Sequence, residues 1–157
     1  MDKEDEVCSP QILLHLVVLN YHHPHRKEFL HLENKNAIIT GGLGGYGLAI
    51  ASLILKRGGR VLLADIVPEI EANETLKSRF AEALEAKTLM YTVCDVTSEA
   101  QIEAAFEVAN AKLTLPDTTV DILINGAGIV GEQNWKKMFE INIVSSTYFK
   151  SYIGFER

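Results

Sequence analysis

Apolar residues along the chain fall into short continuous runs, separated by stretches in which they recur every three or four positions. The runs are Ala37-Ile38-Ile39, Val61 to Ala64, Thr88 to Cys94 and Val120 to Ile124. Runs of this length, bounded by Gly, Pro or Asp, predict strands buried on both faces. The first strand is expected at Ala37–Thr40 and the second at Arg60–Asp65. Helical spacing fills the intervals. Gly45 to Arg57 places Leu48, Ala51, Ser52 and Leu55 on one face and stops at Gly58-Gly59. Pro68 opens a longer pattern with Ile70, Leu76, Phe80 and Leu84 on one stripe. Ser98 with Gln101 reads as a capping box before a third helix that buries Ile102, Ala105, Phe106, Ala109 and Leu113. Glu132 to Ile153 reads as a last single helix with Trp135, Met138, Phe139, Ser146 and Phe149 near one side.

Strict alternation of strand and helix implies an α/β fold, a parallel sheet with helices on both faces. Right-handed crossovers carry strands one to three outward and return strand four to the other side of strand one. The expected architecture is a three-layer, doubly wound Rossmann-type fold of order 3-2-1-4, truncated before a fifth strand. A ligand crevice opens between strands one and four, at the carboxyl ends of the strands. The open flank of strand four is expected to be an exposed edge, prone to association. Residues 34–157 form this domain, incomplete as it stands, and 1–33 form an N-terminal extension, poorly ordered or loosely packed.

The chemistry begins in the first crossover. Asn36 to Asp65 reads NAIITGGLGGYGLAIASLILKRGGRVLLAD: strand, glycine turn, helix, strand, acid. That order is expected of a dinucleotide-binding βαβ unit. Gly42, Gly44 and Gly47 fit G-x-G-x-x-G, while Gly41, Gly45 and Gly47 fit G-x-x-x-G-x-G. A helix N-terminus carries unpaired N–H groups and partial positive charge, and favours a pyrophosphate if no side chain holds it away. Asp65, at the end of strand two, would accept hydrogen bonds from ribose hydroxyls and repel a 2′-phosphate. No basic residue stands at Gly44 or Ile66 to offset such a phosphate. NAD is therefore the expected cofactor. A tight turn that binds nothing, with Asp65 an ordinary loop acid, is the competing reading of this stretch. Asp95 and Asn125–Gly128 fall on the same rim.

Composition adds limits. The chain has 157 residues, 47% apolar and 23% charged, as expected of one globular domain. A net charge of −6 argues against nucleic-acid partners and an anionic membrane surface. Cys8 and Cys94 make no disulfide framework, so a cytoplasmic location is expected. The apolar run Ile12 to Leu19 is short of the roughly 20 residues a spanning helix needs, and the acidic start does not suit a signal peptide. His15, His22, His23, His25 and His31 all lie in the N-terminal segment, with no i, i+4 pair, so no metal site is expected.

Taken together, the motifs resemble those of the short-chain dehydrogenase/reductases. Thr40-Gly41-Gly42-Leu43-Gly44-Gly45-Tyr46-Gly47 resembles the family's T-G-x-x-x-G-x-G cofactor loop. Cys94-Asp95-Val96 is similar to its strand-three D-V, whose acid contacts the adenine amino group. Asn125-Gly126-Ala127-Gly128 resembles its N-N-A-G, with Gly126 in place of the second Asn, as in the insect alcohol dehydrogenase branch. Asn142, in Glu140-Ile141-Asn142-Ile143, matches the asparagine that holds a water in the family's proton relay. Within the family, Asp121 to Asn125 and Asn134 to Ser145 are most similar to the NAD-dependent 15-hydroxyprostaglandin dehydrogenase branch, and the Gly44–Gly47 loop to the insect branch. The resemblance runs from about Glu33 onward. It implies an NAD-dependent oxidoreductase that converts a secondary alcohol, prostaglandin-like or small, to a ketone, and a homodimer in the full-length form. It implies that Thr40 to Gly47, Asp65, Ile66, Asp95, Val96 and Asn125 to Gly128 hold the cofactor and that Asn142 serves the proton relay.

The same family uses a Ser and a Tyr with Lys four residues later. None of Tyr21, Tyr46, Tyr91, Tyr148 or Tyr152 has that Lys, and Tyr148 and Lys150, two apart, do not face each other on a helix. The chain is expected to carry the cofactor half and to be inactive alone. A non-catalytic NAD-binding or dimerisation module is the alternative. A methyltransferase would share the glycine turn and the acid, but would gain nothing from Asn125–Gly128 or Asn142. A nucleoside triphosphatase is excluded, because no Gly-Lys-Ser/Thr follows the glycines.

Overall fold

The computed structural model describes residues 15–18, the first by backbone only, with 31–113, 119–130, 134–145 and 148. Five strands make one sheet: β1 (His15–Val18), β2 (Asn36–Thr40), β3 (Arg60–Asp65), β4 (Leu89–Val93) and β5 (Ile122–Asn125). Their spatial order is β1-β5-β2-β3-β4. The four strands β2 to β5 are parallel and reproduce the 3-2-1-4 order derived from the crossovers.

Alternation within the buried strands builds two cores. Ala37, Ile39, Val61, Leu63, Ile122 and Ile124 face one side, and pack on α1 (Gly45–Lys56) and α2 (Glu69–Glu85). Ile38, Leu62, Ala64 and Leu123 face the other, and pack on α3 (Glu99–Val108), which continues as a π-helical turn over Ala109–Leu113. Helices on both faces explain why these strands read as continuous apolar runs. All five apolar positions expected on the buried face of α3 and its extension are buried.

Several local expectations shift. On α1 the buried stripe is Leu48, Ala51 and Ile54, so it is centred nearer Ile54 than Ser52. On α2, Ala72 and Leu76 are buried, one turn apart, whereas Ile70 lies off that row and is 83% exposed. The helix breaks at Phe80, whose φ of −136° and ψ of 31° are not helical. Ser98 makes no side-chain cap; Gln101 Oε1 reaches past it and accepts from Asp95 N at 2.8 Å. The last helix is α4 (Trp135–Phe139) followed by a π-helical turn at Glu140–Val144, opened by Asn134, whose Oδ1 accepts from Lys137 N at 3.4 Å. Ser146 and Phe149, expected on one side of it, lie outside the described residues.

The start of β5 is bolted to β2. Asp121 accepts from Lys35 Nζ at 2.7 Å and from Asn36 N at 2.9 Å, while its own N–H donates to Asn36 O at 2.9 Å. The flank of β5 expected to stand open is instead paired: β1 runs antiparallel to it, with His15 opposite Asn125 and Val18 opposite Ile122. An unpaired edge of N–H and C=O groups is a template for a further strand, and His15–Val18 completes it. Among the described residues, no helix is long and apolar enough to cross a membrane.

Candidate functional site: a cleft at the carboxyl ends of the strands

The turn after β2 is shaped by close approach. Gly41 has φ +62°, and a Cβ there would stand 2.7 Å from Gly126 O and 2.8 Å from Ala127 N. Only glycine allows the β2 and β5 loops to meet this closely. A Cβ on Gly47 would stand 2.6 Å from Gly41 O, so the first turn of α1 lies directly on the loop. Gly45 differs: a Cβ there would meet nothing within 4 Å. Packing does not require glycine at Gly45, and its bareness leaves the helix N-terminus clear. The N-cap is Gly44, no side chain caps the helix, and its first turn has no acid. The first-turn N–H groups of α1, which a helix cannot satisfy internally, therefore face the cleft without a built-in anion.

Thr40 links the two central strands from below. Its buried Oγ1 donates to Asn125 Oδ1 at 2.7 Å and accepts from Ala127 N at 3.2 Å. Asp65 closes the far side. Its Oδ2 accepts from Leu43 N at 2.9 Å and its Oδ1 from Val67 N at 3.4 Å, which ties the acid to the glycine turn. Asp95 accepts from both the N–H and the hydroxyl of Thr97, at 2.9 and 2.8 Å. These bonds hold its carboxyl below the usual carboxylate range. Asn142, within the π-helical turn, accepts from Ile129 N and donates to Ile129 O, both at 3.0 Å, and so fixes the loop after Gly128.

These elements enclose one cleft of about 280 Å³. Gly41, Gly44, Gly45, Tyr46, Gly47, Asp65, Ile66, Asp95, Val96, Gly126, Ala127 and Gly128 all line it. Thr40, Gly42, Leu43 and Asn125 stand behind that lining and position it; Asn142 acts on it through Ile129. Cys94, Ile129 and Ile141 also line the cleft, although the sequence did not single them out as site residues. Each is the immediate neighbour of a residue it did single out (Asp95, Gly128 and Asn142), and that adjacency was the available signal. Cys94 is 2% exposed, and burial, with Asp95 and Asp65 nearby, pushes its thiol up to about 11. It contributes bulk to the cleft wall rather than a nucleophile. Among the described residues no group of His, Cys, Asp and Glu could hold a metal ion.

A doubly wound sheet with a glycine turn, an acid after the next strand and a cleft at the switch point defines a Rossmann-type α/β domain. Residues 35–151 match the short chain dehydrogenase family, and the chain belongs to it. Human 15-hydroxyprostaglandin dehydrogenase [NAD(+)] is 34% identical over 116 residues, which cover 74% of this chain and 41% of that protein. Zerumbone synthase of Zingiber zerumbet is 31% identical over 124 residues, covering 73% of this chain and 43% of that one. The structure of a 3-ketoacyl-(acyl-carrier-protein) reductase from Brucella melitensis, complexed with NADH, is similar at a TM-score of 0.64 and 25% identity, covering 78% of this chain and 50% of that chain. The chain thus spans about two fifths of the length of the curated relatives it matches.

Proposed function

We propose that this chain provides the NAD-binding half of a short-chain dehydrogenase that oxidises a secondary alcohol to a ketone. The observation that carries the reading is the convergence of four separate loops, after β2, β3, β4 and β5, on one cleft at the end of an uncapped helix. The residues present fit a dinucleotide. The bare N-terminus at Gly45 suits a pyrophosphate, and Asp65 suits adenosine ribose hydroxyls rather than a 2′-phosphate. Asp95 and Val96 line the cleft on one side and would meet the adenine, and Gly126 to Gly128 line it on the other.

NAD bound there would supply the hydride acceptor. The chain's own part is to bind and orient it, with Asn142 fixing the loop that borders the reacting end. In the full-length form Asn142 would hold a water for proton relay. A Tyr with Lys four residues on does not occur in these 157 residues, so the chain by itself should bind cofactor without turning over alcohol. Small alcohols and a prostaglandin-like lipid alcohol are both compatible with this half. A homodimer in the full-length form is supported by Trp135, Phe139 and Ile143, four residues apart and all substantially exposed on the last helix. Cys94, a buried free thiol, suits a reducing cytoplasm.

Titration of NADH onto the purified chain, followed by nicotinamide fluorescence, tests the reading. Saturable binding that NAD displaces and NADP displaces poorly is expected. Failure of both cofactors to bind, or tighter binding of NADP, would overturn it.

A further inference from the structure

Tyr91 lies on β4, opposite Leu63 in the parallel register with β3, and its ring packs on the first core. The side chain reaches past the end of β3 to the turn that follows Asp65. There its hydroxyl lies 2.5 Å from Val67 O and 3.2 Å from Asp65 O. Asp65 O also accepts from Cys94 N at 2.8 Å. The three-residue turn Asp65-Ile66-Val67 is therefore held at two of its carbonyl groups, by Tyr91 of β4 and by Cys94 just after that strand. On its upper side it presents Ile66 to the cleft and the Asp65 carboxylate to Leu43 N.

We propose that Tyr91 is a positioning residue for cofactor selection: its hydroxyl fixes the 65–67 turn so that the Asp65 carboxylate stays on the glycine turn and repels a ribose 2′-phosphate. The inference rests on the reading of the cleft as an NAD site. Electrostatic rejection depends on where the negative charge is held, and a carboxylate free to swing into solvent rejects a phosphate weakly. Oδ2 of Asp65 keeps its place only while the chain leaves β3 in the observed direction, because Val67 N meets Oδ1 from the same turn. The hydroxyl is suited to the task over the whole physiological range. Burial, with Asp65, Glu69 and Cys94 nearby, pushes the phenol up to about 12, so the proton it donates is retained. No side chain other than tyrosine combines a core-packed ring with a donor at that reach.

The test is Tyr91→Phe in the full chain, with dissociation constants for NAD and NADP measured by calorimetry, alone and together with Asp65→Asn. The ratio of the NADP constant to the NAD constant should fall about fivefold in the single variant, the effect of one hydrogen bond. With Asp65→Asn present, Tyr91→Phe should leave the ratio within about twofold, since no charge remains to be positioned. Hydrogen exchange at Leu43 N should quicken in Tyr91→Phe, a readout that needs no cofactor. A ratio unchanged while the melting temperature drops, equal weakening of both cofactors, or unaltered exchange at Leu43 would each overturn the proposal. If the unmodified chain binds neither cofactor, the NAD reading fails and this inference with it. If it prefers NAD and Tyr91→Phe keeps that preference, only the role of Tyr91 fails.

Discussion

Asn142 holds both backbone groups of Ile129, its Oδ1 accepting from the N–H and its Nδ2 donating to the carbonyl at 3.0 Å each. A single amide thus pins the loop after β5 to the π-helical turn, where a wider backbone spiral lets the side chain reach across. Gly128 is part of the arrangement, since a Cβ there would press on Asn142 Oδ1 at 3.3 Å. Asn142→Ala should cost about 1 kcal/mol, typical of exposed pairs lost together. Hydrogen exchange at Ile129 should quicken. Asn142→Asp should fall further in exchange protection at this loop, because a carboxylate meets the Ile129 carbonyl where a donor stood. Equal protection in all three chains would show that the amide does not hold the loop.

Two glycines of one turn should respond oppositely to the same substitution. Gly41→Ala places a methyl group 2.7 Å from Gly126 O at φ +62°, and should destabilise the fold by about 1–3 kcal/mol. Gly45→Ala puts its methyl group in open space within a helix, and should leave stability equal or up to about 1 kcal/mol higher. It should nevertheless weaken NAD binding, because the methyl group stands at the N-terminus of α1. Urea denaturation and NADH titration on the two variants separate the effects. Loss of stability in Gly45→Ala, or unimpaired binding, would contradict the assignment.

Thr40→Val keeps the shape and removes the hydroxyl shared by Asn125 Oδ1 and Ala127 N. Both Thr40 and Asn125 are buried, so a hydrogen bond of the interior is lost, at a cost of about 1–3 kcal/mol. Thr40→Ser retains the bond and should recover most of the loss. A denaturation midpoint for Thr40→Val equal to that of the parent would show that water replaces the hydroxyl.

The pairing of β1 with β5 places a non-local strand on the flank beside the switch point. A chain beginning at His31 should lose that cover and self-associate with rising concentration, through the freed edge of Ile122 to Asn125. Sedimentation velocity on the two lengths checks this. Identical behaviour of both would remove β1 from any protective role.

Strand order and the cleft rim were legible because each depends on short-range pattern. Four apolar runs and the crossover rule suffice for the sheet, and Gly41, Asp65, Asp95 and Gly126 each sit at the end of a run. The rest depends on pairings distant in sequence. Nothing near His15 indicates that it will lie opposite Asn125, and nothing near Leu43 shows that its N–H will meet Asp65. Helix phase is legible within a residue or two, but Ile70 falls off the buried row, because hydrophobicity alone does not mark the four-residue spacing through Ala72 and Leu76. The Ser98 cap failed for a different reason: Gln101 found a better-placed donor in Asp95 N.

Alkaline stability should report the two raised acids next to the cleft. Cys94 titrates near 11 against an ordinary 9.0, and Tyr91 near 12 against 10.0, burial being the leading cause for both. In each case the folded state favours the neutral, proton-bound form. Between about pH 9 and 12 the unfolded chain therefore binds fewer protons than the folded one, and stability falls as pH rises. Well below pH 9.0 neither group contributes a slope. With Cys8→Ser as the background, Cys94→Ser should remove its share of the decline between about pH 9 and 11 and leave the decline between about 10 and 12 that belongs to Tyr91. The native Cys94 thiol should also resist alkylation at pH 8 until the chain is unfolded, since it is both buried and protonated there. Denaturation midpoints at half-unit steps of pH decide the matter: a decline as steep in Cys94→Ser as in its background would mean that the thiol ionises alike in both states.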